Sequence, residues 1–170
     1  MKLQFKSFAM TALVLFAMVV PGVAFAQASE TGSISVTVQN EQLTLVEDIS
    51  LSFGTVQPFG RDGTVRVDAN GNTFNSNTFN TVDGNPATWS LSGVPNAPYA
   101  VTLPSNSITV TNGTGETMAV TNFVRTSGSS QLSFDANGVA SFNVGATLNV
   151  SSLQADGTYT GSYNVTVNYN

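Results

Sequence analysis

The chain contains no cysteine and no histidine, and its only lysines are Lys2 and Lys6. Without a thiol there is no disulfide framework, no cysteine nucleophile and no lipid-bearing N-terminal cysteine. Without imidazole, or any lysine beyond residue 6, a Ser-His-acid triad, a Ser-Lys dyad and a Schiff base are excluded, and zinc and copper lose their usual ligands. Carboxylates remain, but Glu41, Glu47, Asp48 and Glu116 show no arrangement that singles out a pair facing across a cleft, as a glycosidase requires. The expectation is a protein that is not an enzyme and uses no cofactor. Calcium needs only oxygens, and Asp68, Asn70 and Asn72 alternate suitably, but Gly71 comes too early for an EF-hand loop and its bidentate position is Phe79. An Asx-rich turn is the expected structure there, with no metal.

Positive charge is equally scarce. Beyond residue 26 three arginines, Arg61, Arg66 and Arg125, face all ten carboxylates, a net charge of −7. Such a surface offers nothing to a phosphate backbone or an anionic bilayer, so nucleic acid and membrane binding are not expected.

The long apolar run is confined to the N-terminus. Lys2 and Lys6 precede an apolar stretch over 8–20, followed by Pro21 and the small-residue pattern Ala24-x-Ala26. This is the layout of a secretory signal peptide, too short for a convincing membrane span. Cleavage after Ala26 is expected, with Ala28 as a near alternative, so that residues 1–26 direct export to the periplasm and then the cell surface or medium. The remaining 144 residues suit one domain.

Helical spacing of apolar residues is almost absent. Thr, Ser, Asn, Val and Gly dominate, with apolar residues alternating, and strands are expected over 33–39, 43–46, 49–53, 64–68, 87–91, 99–103, 107–111, 117–124, 131–134, 139–144, 147–150 and 158–169. Asp62-Gly63, Asn70-Gly71, Asp83-Gly84, Asn112-Gly113, Asn137-Gly138 and Asp156-Gly157 punctuate them with hairpin-type turns. The asparagine-rich stretch 70–85 reads as a long polar loop or a weak edge hairpin. Many short strands between turn signals give an all-β fold, an antiparallel β-sandwich. Trp89, between Ala87 and Leu91, suits a core plug between two sheets.

Both ends of the exported chain have the character of unpaired strands. In 158–169, Tyr159, Gly161, Tyr163, Val165, Val167 and Tyr169 share one face and polar residues the other. A strand so long and regular needs hydrogen-bond partners on its edges. Near the other end Ile34, Val36 and Val38 alternate with Ser33, Ser35, Thr37 and Gln39 behind a polar leader. That strand can fold back into its own sheet or add to a neighbour's.

The C-terminal pattern, with Gly157 at the start of the strand and Tyr169 penultimate, resembles pilins assembled by a periplasmic chaperone and an outer-membrane usher. Nearly the whole exported chain resembles the bacterial domain-of-unknown-function family numbered four-four-zero-two. The residues that carry this are Leu51-Ser52-Phe53-Gly54-Thr55-Val56 with Pro58, Ser92-Gly93-Val94-Pro95-Asn96-Ala97-Pro98-Tyr99, Gly145-Ala146-Thr147-Leu148 and Gly157-Thr158-Tyr159-Thr160-Gly161.

The resemblance implies an immunoglobulin-like sandwich over 41–170, preceded by an N-terminal extension at 27–40, and no catalytic residues. It implies a fimbrial subunit that lacks its final strand. A chaperone fills the groove first, and the extension of another copy or a related subunit fills it afterwards. On this chain the donor is Ile34, Val36 and Val38, and the groove edge runs through Gly157, Tyr159, Gly161, Tyr163, Val165, Val167 and Tyr169. Each buried side chain is worth roughly 1.5–3 kcal/mol and each ladder hydrogen bond about 0.5–1.5 kcal/mol, so the exchange gains on the order of 10 kcal/mol before ordering costs. That is comparable to a domain's stability. The alternative is a self-complete secreted module that binds carbohydrate or another surface ligand through its loops, with Asn75, Asn77, Asn80, Phe74 and Phe79 as one candidate tip.

Overall fold

A computed structural model of the chain describes residues 32–38, 42–76, 79–126 and 132–170. The chain divides into two units, Met1–Val38 and Gln39–Asn170. In the first, the described residues 32–38 form no strand, and Ile34, Val36 and Val38 are 97%, 82% and 77% exposed. The strand expected at 33–39 is thus not formed over these residues, and Gln39 lies outside the described ones. Alternating sequence makes a strand only where another edge accepts its backbone groups.

The second unit is all-β, with no helix among the described residues. Its strands are β1 (Thr44–Ile49), β2 (Thr55–Gln57), β3 (Gly63–Val67), β4 (Thr73–Asn75), β5 (Asn80–Val82), β6 (Ala87–Ser92), β7 (Pro98–Thr102), β8 (Ile108–Thr111), β9 (Thr117–Arg125), β10 (Leu132–Ser133), β11 (Val139–Val150) and β12 (Thr166–Tyr169). All pairings are antiparallel. Seven strands form one sheet, in the order β1-β6-β11-β3-β4 with β9 on β11 and β8 on β9; β10-β7-β12 form a second, and β2-β5 a third.

β11 organises the large sheet. It pairs with β6 through Val139–Val144, with β3 through Ala146–Val150 and with β9 through Val144–Asn149. Its even-numbered residues Phe142, Val144, Ala146, Leu148 and Val150 are buried, while Val139, Ser141 and Asn149 are exposed, as period-two alternation requires. Strands were expected at 139–144 and 147–150 with a break between. They are one strand, and Gly145 is what permits it: a Cβ there would lie 2.2 Å from the Val67 carbonyl oxygen. The glycine lets two backbones pass closely without interrupting the ladder. Opposite it, two residues of β9, Asn122 and Phe123, stand between the paired Thr121 and Val124 against one, Ala146, on β11. Asn122 takes up the extra residue at φ 51°. This bulge shifts the inward parity of β9 from Met118 and Val120 to Phe123.

The core has two lobes. One, around Leu91, Tyr99, Phe134, Phe142 and Val144, lies between the large sheet and the strands β7, β10 and β12, a β-sandwich-like arrangement. The other, around Val65, Phe79, Val120, Leu148 and Val150, is covered by Leu51, Phe53 and Val56.

Of the strand expected at 49–53, Ile49 ends β1, where it pairs with Thr88, and the rest reduces to a single bridge from Ser52 to Asn85. Within 70–85, the described residues form two short strands, β4 pairing with β3 and β5 with β2. The unbroken strand over 158–169 is also corrected: only Thr166–Tyr169 makes a ladder, with β7. The alternation survives, since Tyr159, Tyr163, Val165 and Val167 are half-buried between exposed neighbours. Among the described residues no strand pairs with 161–165. Alternation records which face is covered, not whether a neighbouring strand exists.

Candidate functional site

The face of the large sheet beneath the second lobe is only partly roofed. Ile108 and Val110 of β8, Met118 and Val120 of β9, and Leu148 and Val150 of β11 form the floor of a groove with a volume of about 800 Å³. One wall is 50–58, including Leu51, Phe53 and Val56; the other is 154–163. β2 within the first wall has one ladder partner among the described residues, β5, and so one edge without a ladder there. In the second wall Thr160 makes a single bridge to Thr111.

Of the residues expected to border a groove, Gly157, Tyr159, Gly161 and Tyr163 line it. Gly157, at φ 151°, lies in a turn region rather than at the start of a strand. Gly161 packs against the β8 backbone, where a Cβ would come within 2.8 Å of the Thr109 carbonyl oxygen. Val165 and Val167 pack instead on the first core lobe. The Tyr169 hydroxyl accepts the Val94 backbone N–H at 2.9 Å, and its ring lies 6.0 Å from that of Phe134. The last three therefore anchor the C-terminus rather than line the groove.

One end of the groove is aromatic. Trp89 stacks on Phe142 with centroids 6.5 Å apart and meets Tyr163 edge-on at 6.3 Å. Its indole N–H donates to the Tyr163 hydroxyl at 3.4 Å. Trp89 is half-buried and lines the groove as well as packing on the core, so the core-plug expectation describes part of its role. Burial pushes the Tyr163 phenol up, the Trp89 hydrogen bond opposes this, and the nearby Glu47 carboxylate adds to it. Glu47 sits opposite Trp89 in the β1–β6 register. Asp156 also lines the groove, and no arginine or lysine does. An apolar floor with two carboxylates and no cation disfavours an anionic ligand.

The other end carries two exposed apolar side chains on adjacent turns. In the turn 58–61, closed by the Arg61 N–H on the Pro58 carbonyl at 3.1 Å, Phe59 has φ 47° and Gly60 φ 73°. Leu153 lies in the turn 151–154. Asp62 ties the turns together by accepting the Ser152 N–H at 2.6 Å, which also holds its carboxyl below the usual range. Phe59 is 65% and Leu153 89% exposed.

Sequence reasoning did not find the floor or the first wall. Those residues alternate like any core strand; only the tertiary arrangement shows that no strand among the described residues roofs them. The described residues hold no group of three or more His, Cys, Asp or Glu placed to bind a metal. Asp68 is occupied as an Asx turn, accepting from the backbone of Asn70 and Asn72 and from the Asn72 amide.

The second unit is thus all-β and β-sandwich-like, with a groove over a partly roofed core lobe. The chain belongs to a family described as a domain of unknown function, DUF4402, whose match extends over residues 35–169. No curated protein and no solved structure matches the chain.

Proposed function

We propose that this protein is an exported structural subunit of a fimbria or similar surface polymer, assembling by strand donation within an immunoglobulin-like sandwich. The observation that carries the reading is that one chain holds both halves of the exchange. It has an uncharged segment, 33–38, with exposed Ile34, Val36 and Val38 and no strand partner among the described residues. It also has an apolar groove between two walls that each have backbone edges to spare. A strand placed there gains main-chain pairing and side-chain burial together. The N-terminal pattern of residues 1–26 supports export. A periplasmic chaperone and an outer-membrane usher are the partners that would protect such a groove in transit. The protein is proposed to have no catalytic role.

The test uses the exported chain lacking residues 27–38, melted with and without a synthetic peptide of residues 27–40. A rise of several degrees with the peptide, absent with a Val36→Asp peptide, supports the reading. A melting temperature indifferent to the peptide contradicts it and favours a self-complete binding module.

A further inference from the structure

We propose that Phe59 and Leu153 form an axial seat for the body of a second copy of this chain, which stacks its Val94–Val139 end on them as its N-terminal segment fills the groove. This inference rests on strand donation and adds its direction and partner surface.

Phe59 is the first indication. Both central residues of its turn have positive φ, the type I′ geometry that favours Asn, Asp or Gly at this position. A bulky aromatic residue in the left-handed region is a steric outlier. Here it is exposed and outside the core, so folding does not require it. Strain of this kind, in a residue that contributes nothing to packing, points to function. Leu153, on the turn joined through Asp62 and Ser152, makes a second apolar projection at the same place.

The second indication is position. Gly63, just beyond the Phe59 turn, pairs with Val150, and Leu153 follows Val150 directly. Both side chains therefore lie at the C-terminal end of β11, where Gln57, Pro58 and Gln154 border the groove. Thr44, the first residue of β1, stands at the opposite end: it pairs with Ser92, and Ser92 pairs with Val139, the first residue of β11. Val139 is 51% exposed and Val94, held to the same end by the Gly93 N–H on the Gly138 carbonyl at 2.9 Å, is 38% exposed. Each end of β11 thus carries a small apolar patch.

The direction proposed here, with the strand's C-terminal end at Pro58 and Gln154, fixes which molecule supplies it. The ends of β11 are about 35 Å apart at strand rise. Six residues, from Val38 to Thr44, reach at most about 22 Å. A strand whose C-terminal end lies at Pro58 and Gln154 therefore cannot come from the same chain and must come from a second copy, whose Val94–Val139 end is then carried onto Phe59 and Leu153. That strand runs antiparallel to 156–163. The contact is head-to-tail, so it repeats without closing and yields a filament.

The absence of cysteine allows a direct test with the full exported chain. Leu153→Cys and Val139→Cys combined in one chain should give, under mild oxidation, a ladder of covalent multimers, while either substitution alone gives at most a dimer. Separately, Phe59→Asn should leave the melting temperature unchanged or raised, since Asn suits positive φ, yet weaken self-association on the order of tenfold. If the 27–40 peptide binds and Phe59→Asn assembles like the parent with no disulfide ladder from the double variant, the axial seat is wrong and strand donation stands. If the peptide does not bind at all, the donation reading itself fails.

Discussion

Thr111 and Thr160 exchange two backbone hydrogen bonds, each 2.9 Å, and this pair is the only bridge joining residues 151–165 to another strand among the described residues. The second wall of the groove is therefore pinned at one point, while its alternating tyrosines still face inward. A wall held in this way is complete as a surface and incomplete as a sheet. That is the state in which an added strand gains most.

Val36→Asp should abolish assembly and leave the folded body as stable as before, within about 0.5 kcal/mol, because Val36 is exposed and surface changes away from packed features cost little. Urea unfolding and sedimentation of the same preparation separate the two effects.

Trp89 is the chain's single tryptophan and lines the groove beside Tyr163. Its emission should shift to the blue, saturably, as the 27–40 peptide is titrated into the chain lacking residues 27–38. A control peptide with Val36→Asp should leave the spectrum unchanged.

Gly145→Ala should destabilise the body by about 1–3 kcal/mol, since the added methyl group meets the Val67 backbone rather than a side chain that can turn aside. Chemical denaturation measures this. A near-neutral result would mean that β3 and β11 can move apart at no cost.

Asp135 accepts the Val139 and Asn137 N–H groups at 2.7 and 2.8 Å, and these hold its carboxyl below its ordinary 3.8. A carboxyl depressed in the folded state adds stability above the unfolded value and loses it as pH falls through the folded one. Asp68 is depressed by Asn72 in the same way. Melting temperature should therefore fall from neutral pH to about pH 2.5, and Asp135→Asn should reduce that fall. Thermal melts across this range give the comparison.

Much of this was legible in the sequence, for reasons that differ from element to element. The Asx-Gly pairs at Asn70-Gly71 and Asn137-Gly138 announced turns correctly because turn chemistry is local: the Gly71 N–H returns to the Asp68 carbonyl and that of Gly138 to the Asp135 carbonyl, each at 3.1 Å. The inward faces of β9 and β11 followed from alternation, apart from the Asn122 bulge, which depends on the partner strand. Gly145 suggested a break because a glycine's tolerance for close approach cannot be told from a turn without seeing the Val67 backbone beside it. Tyr159 and Tyr163 could be named as groove-facing, but Val165, Val167 and Tyr169 share their parity and pack elsewhere, because the segment passes from the groove to β7 between them. Phe59 was not singled out, since its backbone conformation is not written in composition or period.

The most direct measurement is light scattering with size-exclusion chromatography on the purified exported chain over a range of concentrations. Multimers in integer steps of the subunit mass, growing with concentration and absent in Val36→Asp, are the predicted result. A monomer at every concentration, with the same melting behaviour in parent and variant, would contradict strand donation.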